Sequence, residues 1–505
     1  MSPIVHRCSN VVFSLVLCIP LAAVAEDTST TQGATASNQA SERSNEDHEI
    51  CSALQRDLED AERIRAGQLN VQCRNGLVTL SGTVESLLDK RLASRIAKRT
   101  RGVQAVLNQI LVQTSERSDD AIRDDVSQAL LVNNSVEKPS IALHVQSGKV
   151  AMTGKVDSLA EKRIAETVVS GVPGVTEVKN QLTVRLSSDR TDREMRDEIA
   201  ALMVHSVYLD DVDVDVQVKD HVAILNGTVH SAEQKDHLER VAEIWGIASV
   251  EMESVKINPD ATDGTKRSER YAKVSDQGIS DALKRSFRAD PVVFKQSDQI
   301  SVDVQSGTVI LSGTVATLPI KRAAEQLAYD VVGVRRVSNE LTVQWPDHAP
   351  DDAEIISTLQ QSLARSPYLK RTQLRVHCHA AHVSLYGLVD TEQQKSMAQW
   401  LAENIPGVVH VNNALTVEQP WEEKADDEIK NDLERKLKFV FFDKSNDVNV
   451  SIENGVAILR GQVDTWRQWQ AAMDLAIEAG ARHPHNLIQV RYHDPHGASR
   501  IYVPE

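Results

Sequence analysis

Six segments of this chain are variations on one pattern: NGLVTLSGTV (75–84), SGKVAMTGKV (147–156), DHVAILNGTV (220–229), SGTVILSGTV (306–315), AHVSLYGLV (381–389) and NGVAILRGQV (454–463). Each joins a turn to three alternating apolar positions and a glycine. The shared glycines are Gly82, Gly154, Gly227, Gly313, Gly387 and Gly461, spaced 72, 73, 86, 74 and 74 residues apart. A second landmark follows each of them after 19 or 20 residues, at Gly102, Gly174, Gly246, Gly333, Gly407 and Gly480. Six residues further on stand Asn108, Asn180, Asn339, Asn413 and Asn486, with Met252 in the third copy. A chain built this way folds as a row of small units, each with a modest core that gains from packing on its neighbours.

The fourth copy shows the unit most plainly. Ile279, Leu283 and Phe287 recur at helical spacing; Ile300, Val302 and Val304 alternate; Ser306-Gly307 turns the chain; Val309, Leu311 and Gly313 alternate again. Ala323, Ala324 and Leu327 then mark a second amphipathic helix that closes at Gly333, and NELTVQ (339–344) supplies a last strand. The expected fold is α+β: a tandem array of six αββαβ modules, each a three-stranded sheet with two helices on one face and the other face uncovered. The modules span 46–113, 118–185, 190–257, 275–344, 351–417 and 425–491. A polar linker at 258–274 accounts for the long spacing of 86 and splits the array into two groups of three.

This unit, with NG-V-x-L-x-G-x-V, a helix, then GV and Asn, resembles the BON domain family, named for bacterial OsmY and nodulation proteins. The resemblance covers about 430 residues in six copies. It implies an envelope or osmotic-stress protein that attaches to phospholipid or other envelope components, with no catalysis and no cofactor. As alternatives it implies a periplasmic chaperone for outer-membrane proteins, or an interaction scaffold. The sequence departs from the pattern at Ala380-Ala381 and Lys219-Asp220, which lack the turn glycine, and at Met252; looser or specialised modules are expected there.

The N-terminus fits an exported protein. Arg7, an apolar run from Val11 to Leu21 and small residues at Ala23 and Ala25 have the layout of a secretory signal peptide over residues 1–25, too short for a spanning helix. Leu15-Val16-Leu17 before Cys18 is too bulky for lipoprotein processing. Residues 26–45 read as a flexible leader and 492–505 as a tail, and the expected location is the periplasm. With 56 basic against 72 acidic residues the net charge is -16, which repels nucleic acid and anionic membrane at long range, so either must be met by a local patch. No nucleic acid and no small-molecule substrate is expected. Of the cysteines beyond the signal, Cys51, Cys73 and Cys378, at most the first two pair.

Catalytic signatures are lacking: there is no GxSxG, Walker loop, GxGxxG after a strand, HExxH or CxxC. Candidates for binding are local. In the first copy Arg91, Arg95, Lys98 and Arg99, with Lys90 and Arg101 nearby, line one side of the second helix while Leu88, Leu92 and Ile96 face the core, a patch able to hold anionic headgroups. In the sixth, Phe439, Phe441 and Phe442 lie between lysines near the end of the first helix, suited to a bilayer interface or an unfolded client. HCHAAH (377–382) aligns Cys378 with the core and leaves His377, His379 and His382 on the open face, a weak candidate for zinc or copper whose rings no carboxylate orients. Asp211, Asp213 and Asp215 read as a solvated strand face, and the histidine pairs at 483–485 and 493–496 as irregular loops.

Overall fold

The computed structural model describes residues 47–58, 69–100, 102–114, 117–131, 133, 141–185, 190–209, 212–258, 274–344, 350–366, 369, 374–390, 392–417, 424–440, 447–492 and 500–502. Residues 1–25 and 26–45, expected as signal peptide and leader, and most of the linker lie outside these residues.

Each module begins with a helix: 47–58, Asp119–Leu131, Asp192–His205, Asp276–Ala289, Asp352–Arg365 and Asp426–Val440. A hairpin follows, then a second helix, then a strand parallel to the hairpin's second arm, so that this arm is the middle of the sheet. In the fourth module the hairpin is Ile300–Gln305 and Thr308–Val315, the second helix Leu318–Tyr329, and the last strand is interrupted into Arg336–Asn339 and Thr342–Val343. Each sheet has its own hydrophobic cluster. Ile279, Leu283 and Phe287 are almost wholly buried, and each contributes about 2 kcal/mol by leaving water.

The second helix lies close to the sheet because small side chains face it. Eleven and fifteen residues after the first landmark glycine come Ala93 and Ala97, Ala324 and Ala328, Ala398 and Ala402, Ala472 and Ala476, all fully buried. In the first module these alanines, rather than Leu88, Leu92 and Ile96, form the innermost face. Leu92 and Ile96 pack half-buried on its flank, while Leu87 joins the core of the second module.

All six hairpins turn through two residues of positive φ, the geometry that suits the twist of paired strands. Ala380-Ala381 (φ 50° and 57°) and Asp220-His221 (φ 50° and 64°) adopt it without glycine, so neither module is looser at its turn, and the third module's turn falls one residue later than Lys219-Asp220. A carboxylate holds each turn in place. The first helices carry an aspartate in their first turn whose two oxygens accept from both turn amides. Asp47 takes Asn75 and Gly76, Asp119 takes Ser147 and Gly148, Asp192 takes Asp220 and His221, Asp276 takes Ser306 and Gly307, Asp352 takes Ala380 and Ala381, and Asp426 takes Asn454 and Gly455, all at 2.7–3.1 Å.

The landmark asparagines tie the second helix to the last strand. The amide nitrogens of Asn108, Asn180, Asn339 and Asn413 donate to the helix carbonyls of Lys90, Lys162, Lys321 and Lys395, and their oxygens accept from the amide two residues on. In the third module Met252 falls where the strand register shifts between Glu251 and Ser254; the ammonium of Lys235 reaches the Val255 carbonyl there, as that of Lys321 reaches Leu341 in the fourth. In the sixth, the strand Arg482–Tyr492 runs through the HPH segment, with a bulge that accommodates Pro484 where a loop was expected; Arg500–Tyr502 adds a fourth strand to that sheet. Cys51 and Cys73 form a disulfide, closing first helix onto first strand with Cα atoms 5.7 Å apart.

Two predictions follow from these contacts. At Gly313 (φ 127°) an added Cβ would lie 2.1 Å from the Gln299 carbonyl oxygen, so Gly313→Ala is expected to cost about 3 kcal/mol and to bring forward an early phase in chemical denaturation; an unchanged curve refutes the role. The amides of Gly148, His221 and Ala381 hold the carboxyls of Asp119, Asp192 and Asp352 below their ordinary value of 3.8. Their contribution to stability is therefore complete above that value and lost as pH falls below it through the folded-state values. The melting temperature should drop on acidification in this window, and less steeply in the Asp119→Asn, Asp192→Asn, Asp352→Asn variant.

Candidate functional site

The cations of the first module's second helix, Leu87–Arg99, point toward other modules. Arg91 pairs with Glu166 of the second module. Lys98 donates to both oxygens of Asp236 in the third at 2.8 Å, and Arg99 approaches Glu233 there at 3.4 Å. Arg163, nine residues after Gly154 as Arg91 is after Gly82, pairs in turn with Glu243. The second helices of modules one to three thus close a triangle of ion pairs. In the second group Arg322, at the same offset, pairs with Glu403. The basic row read as a headgroup patch is therefore in large part a seam between modules: Arg91, Lys98 and Arg99 are spent on carboxylates. Lys90 lies apart from the seam, near Glu177 of the second module.

Other joints combine ring stacking, backbone bonds and further ion pairs. Trp245 stacks on Phe294 with ring centroids 3.9 Å apart, its amide donating to the Ala289 carbonyl, and Ser206 bridges to Val331. Tyr329 stacks on Trp466 across modules four and six, and Arg435 reaches from the sixth module to Asp57 of the first at 2.7 Å. These contacts come from helices and the loops beside them, and the outward residues of the sheets stay largely accessible.

The hairpin of HCHAAH has the expected register, His379 opposite His382 and His377 opposite Ser384, with Cys378 buried. Burial and the neighbouring Asp352 carboxylate push the Cys378 thiol up to about 12, so it stays protonated and donates to Asp352 at 3.2 Å. A carboxylate does stand beside this hairpin, although its oxygens serve the turn. His410, on the parallel strand, is a second histidine in register with His382, with ring centroids 5.7 Å apart; its separation in sequence hid it. The Nδ1 of His382 is engaged with the Ala380 carbonyl. Among the described residues no group of three His, Cys, Asp or Glu side chains is arranged to hold a metal. Asp213 and Asp215 are exposed while Val216 is buried, as alternation requires. Phe439 falls within the helix Asp426–Val440; Phe441, Phe442, His493 and His496 lie outside the described residues.

What sequence reading missed is the character of the open faces. On the first module Leu77, Leu107 and Leu111 are 43%, 47% and 67% exposed on one side of the sheet. On the fifth, Tyr386 and Leu388 are 44% and 50% exposed on the outer side of the middle strand. Among the described residues no helix is long and apolar enough to cross a membrane.

The ion-pair seam can be measured directly. Lys98 and Asp236 are each about one-third exposed (36% and 37%), so a double-mutant cycle through Lys98→Ala and Asp236→Ala is expected to give a coupling of about 0.5 kcal/mol that shrinks as salt is raised. Zero coupling at low salt would remove the pair from the joint.

Known proteins place this architecture. The model of the BON domain matches residues 46–114, 118–185, 191–258, 275–344, 351–419 and 425–492. Osmotically-inducible protein Y of Escherichia coli (strain K12) is 29% identical over 147 residues, 28% of this chain and 73% of that protein. Among solved structures, the C-terminal domain of CdsD, a structural protein of the type III secretion system of Chlamydia trachomatis, is 18% identical over 38% of this chain and 89% of its own, with a TM-score of 0.12. With its two glycine landmarks, its asparagine ties and the αββαβ order repeated in every copy, the chain belongs to the BON domain family and carries six of these domains in tandem.

Proposed function

We propose that this is a non-catalytic, envelope-associated protein of osmotic stress, exported to the periplasm, whose modules bind phospholipid surfaces through their open sheet faces. The observation that carries this reading is the direction of packing. Helices meet helices at the joints, while six sheet faces are left outward on one scaffold. Tethered faces raise one another's effective concentration, so contacts that are weak singly add to a firm attachment. The exposed Leu77, Leu107 and Leu111 beside Arg74, and Tyr386 and Leu388 beside Arg375, have the mixture of apolar body and cationic rim that suits a headgroup boundary. The likeness to a protein named for osmotic induction supports the stress setting.

A chaperone for outer-membrane proteins is the second reading. It is favoured by the same apolar residues together with a net charge of -16, which keeps a client complex from precipitating. Sedimentation with vesicles decides between them. The mature chain is expected to pellet with anionic phosphatidylglycerol vesicles, and Leu107→Asp with Leu111→Asp to reduce the bound fraction severalfold. No pelleting, with aggregation of an unfolded outer-membrane protein suppressed in the absence of lipid, would favour the chaperone.

A further inference from the structure

We infer that the open sheet face of the second module is the electrostatic contact of this protein with anionic phospholipid, the part first expected of the basic helix in module one. This rests on the lipid-binding reading above and gives it a location. The sheet comprises Ala142–Gln146, Lys149–Val156 and Glu177–Val184. Its buried side is apolar: Val150, Met152, Val156 and Leu182 enter the core. Alternation sends His144, Lys149, Lys155 and Lys179 to the other side, where all four are exposed.

Register fixes how they are arranged. Ala151 in the middle strand has His144 beside it on one side and Lys179 on the other, with Lys149 and Lys155 beyond it along the strand. Ala142, Ala151 and Thr153 between them are short, so the ammonium groups stand around a low floor. The single carboxylate on this face, Glu177, is bonded to Lys149 at 2.9 Å, an exposed pair of little strength that a phosphate can replace. The surrounding field is cationic enough to hold the Glu177 carboxyl below its ordinary range, through Lys149 first and then Lys179 and Lys90. Lys90 of the first module's basic row adds to this field.

The occupant follows from charge and dimensions. The third module's open face sets Lys219 and Lys256 among Asp213, Asp215 and Glu251, and so lacks the cationic excess of the second module's. Lys149 and Lys155 are about 20 Å apart along a strand rising about 3.3 Å per residue. A lone phosphate spans no such distance, whereas a field of headgroups does. In a chain of net charge -16, a face of this sign is also the means by which an anionic bilayer can be approached at all.

The test compares three forms of the mature chain with phosphatidylglycerol-containing and pure phosphatidylcholine vesicles: wild type, Lys149→Gln/Lys155→Gln/Lys179→Gln, and Arg91→Gln/Lys98→Gln/Arg99→Gln. Circular dichroism checks that each is folded. The inference expects anionic-vesicle binding to weaken at least tenfold in the lysine variant and less than threefold in the helix variant. Unchanged binding by the lysine variant overturns the inference while leaving lipid attachment intact. A wild type that binds neither vesicle overturns both. Release from vesicles by millimolar inorganic phosphate at constant ionic strength, or equal binding to a single-stranded oligonucleotide, would show a site for soluble anions or nucleic acid and also overturn it.

Discussion

The aspartate that opens each first helix is the contact on which the module depends. Its two carboxylate oxygens meet two successive turn amides that point the same way because both residues have positive φ. One side chain thereby fixes where the helix begins, where the hairpin reverses and how the two lie against each other. It also frees the turn from its usual composition. Ala380-Ala381 carries strain that glycine would avoid, and Asp352 holds both of its amides at 2.9 Å. The clamp is a charge-assisted bond on the surface, so it orders the hairpin without requiring a buried charge.

Much of this was legible in the sequence. Glycine landmarks are visible because nothing else fits: at Gly227 the Asp213 carbonyl would meet a Cβ at 2.0 Å, and at Gly102 the Ile50 side chain would meet it at 2.7 Å. The asparagines stand out because a polar side chain recurs within the last strand at a fixed distance from the second glycine landmark. The aspartates recur as regularly, 28 to 31 residues before the turn amides they hold. They went unread because an acidic residue in a first helical turn already has a sufficient explanation in the helix dipole. Acidic residues are also too common in this chain for one more to attract notice.

The joints between modules were not legible, for a different reason. A partner such as Glu166 for Arg91 or Asp57 for Arg435 lies 75 or 378 residues away, and periodicity within a unit says nothing about which units touch. A row of cations on a helix looks the same whether it faces solvent, a membrane or a neighbour's carboxylates. Only placement distinguishes these, and here it moves three members of the row from a binding surface to a seam. The same limitation hid His410, which joins His382 through a parallel strand that the hairpin pattern does not include.

Packing on the helical side has a consequence for how the array can bind. The second helix sits on small residues such as Ala324 and Ala328, which brings it close to the sheet and leaves its outer rows to carry Arg322, Arg163 and their partners. Because the joints are made on the helical side, the residues on the outer side of each sheet are free to differ in charge: lysines in the second module, carboxylates mixed with lysines in the third, histidines in the fifth. A repeat protein whose copies share a scaffold and differ on one face gains specificity by combination, since a surface must match several unlike faces at once to hold the whole chain. The ion pairs of the seam are partly exposed, so their share in holding the joints weakens as salt is raised.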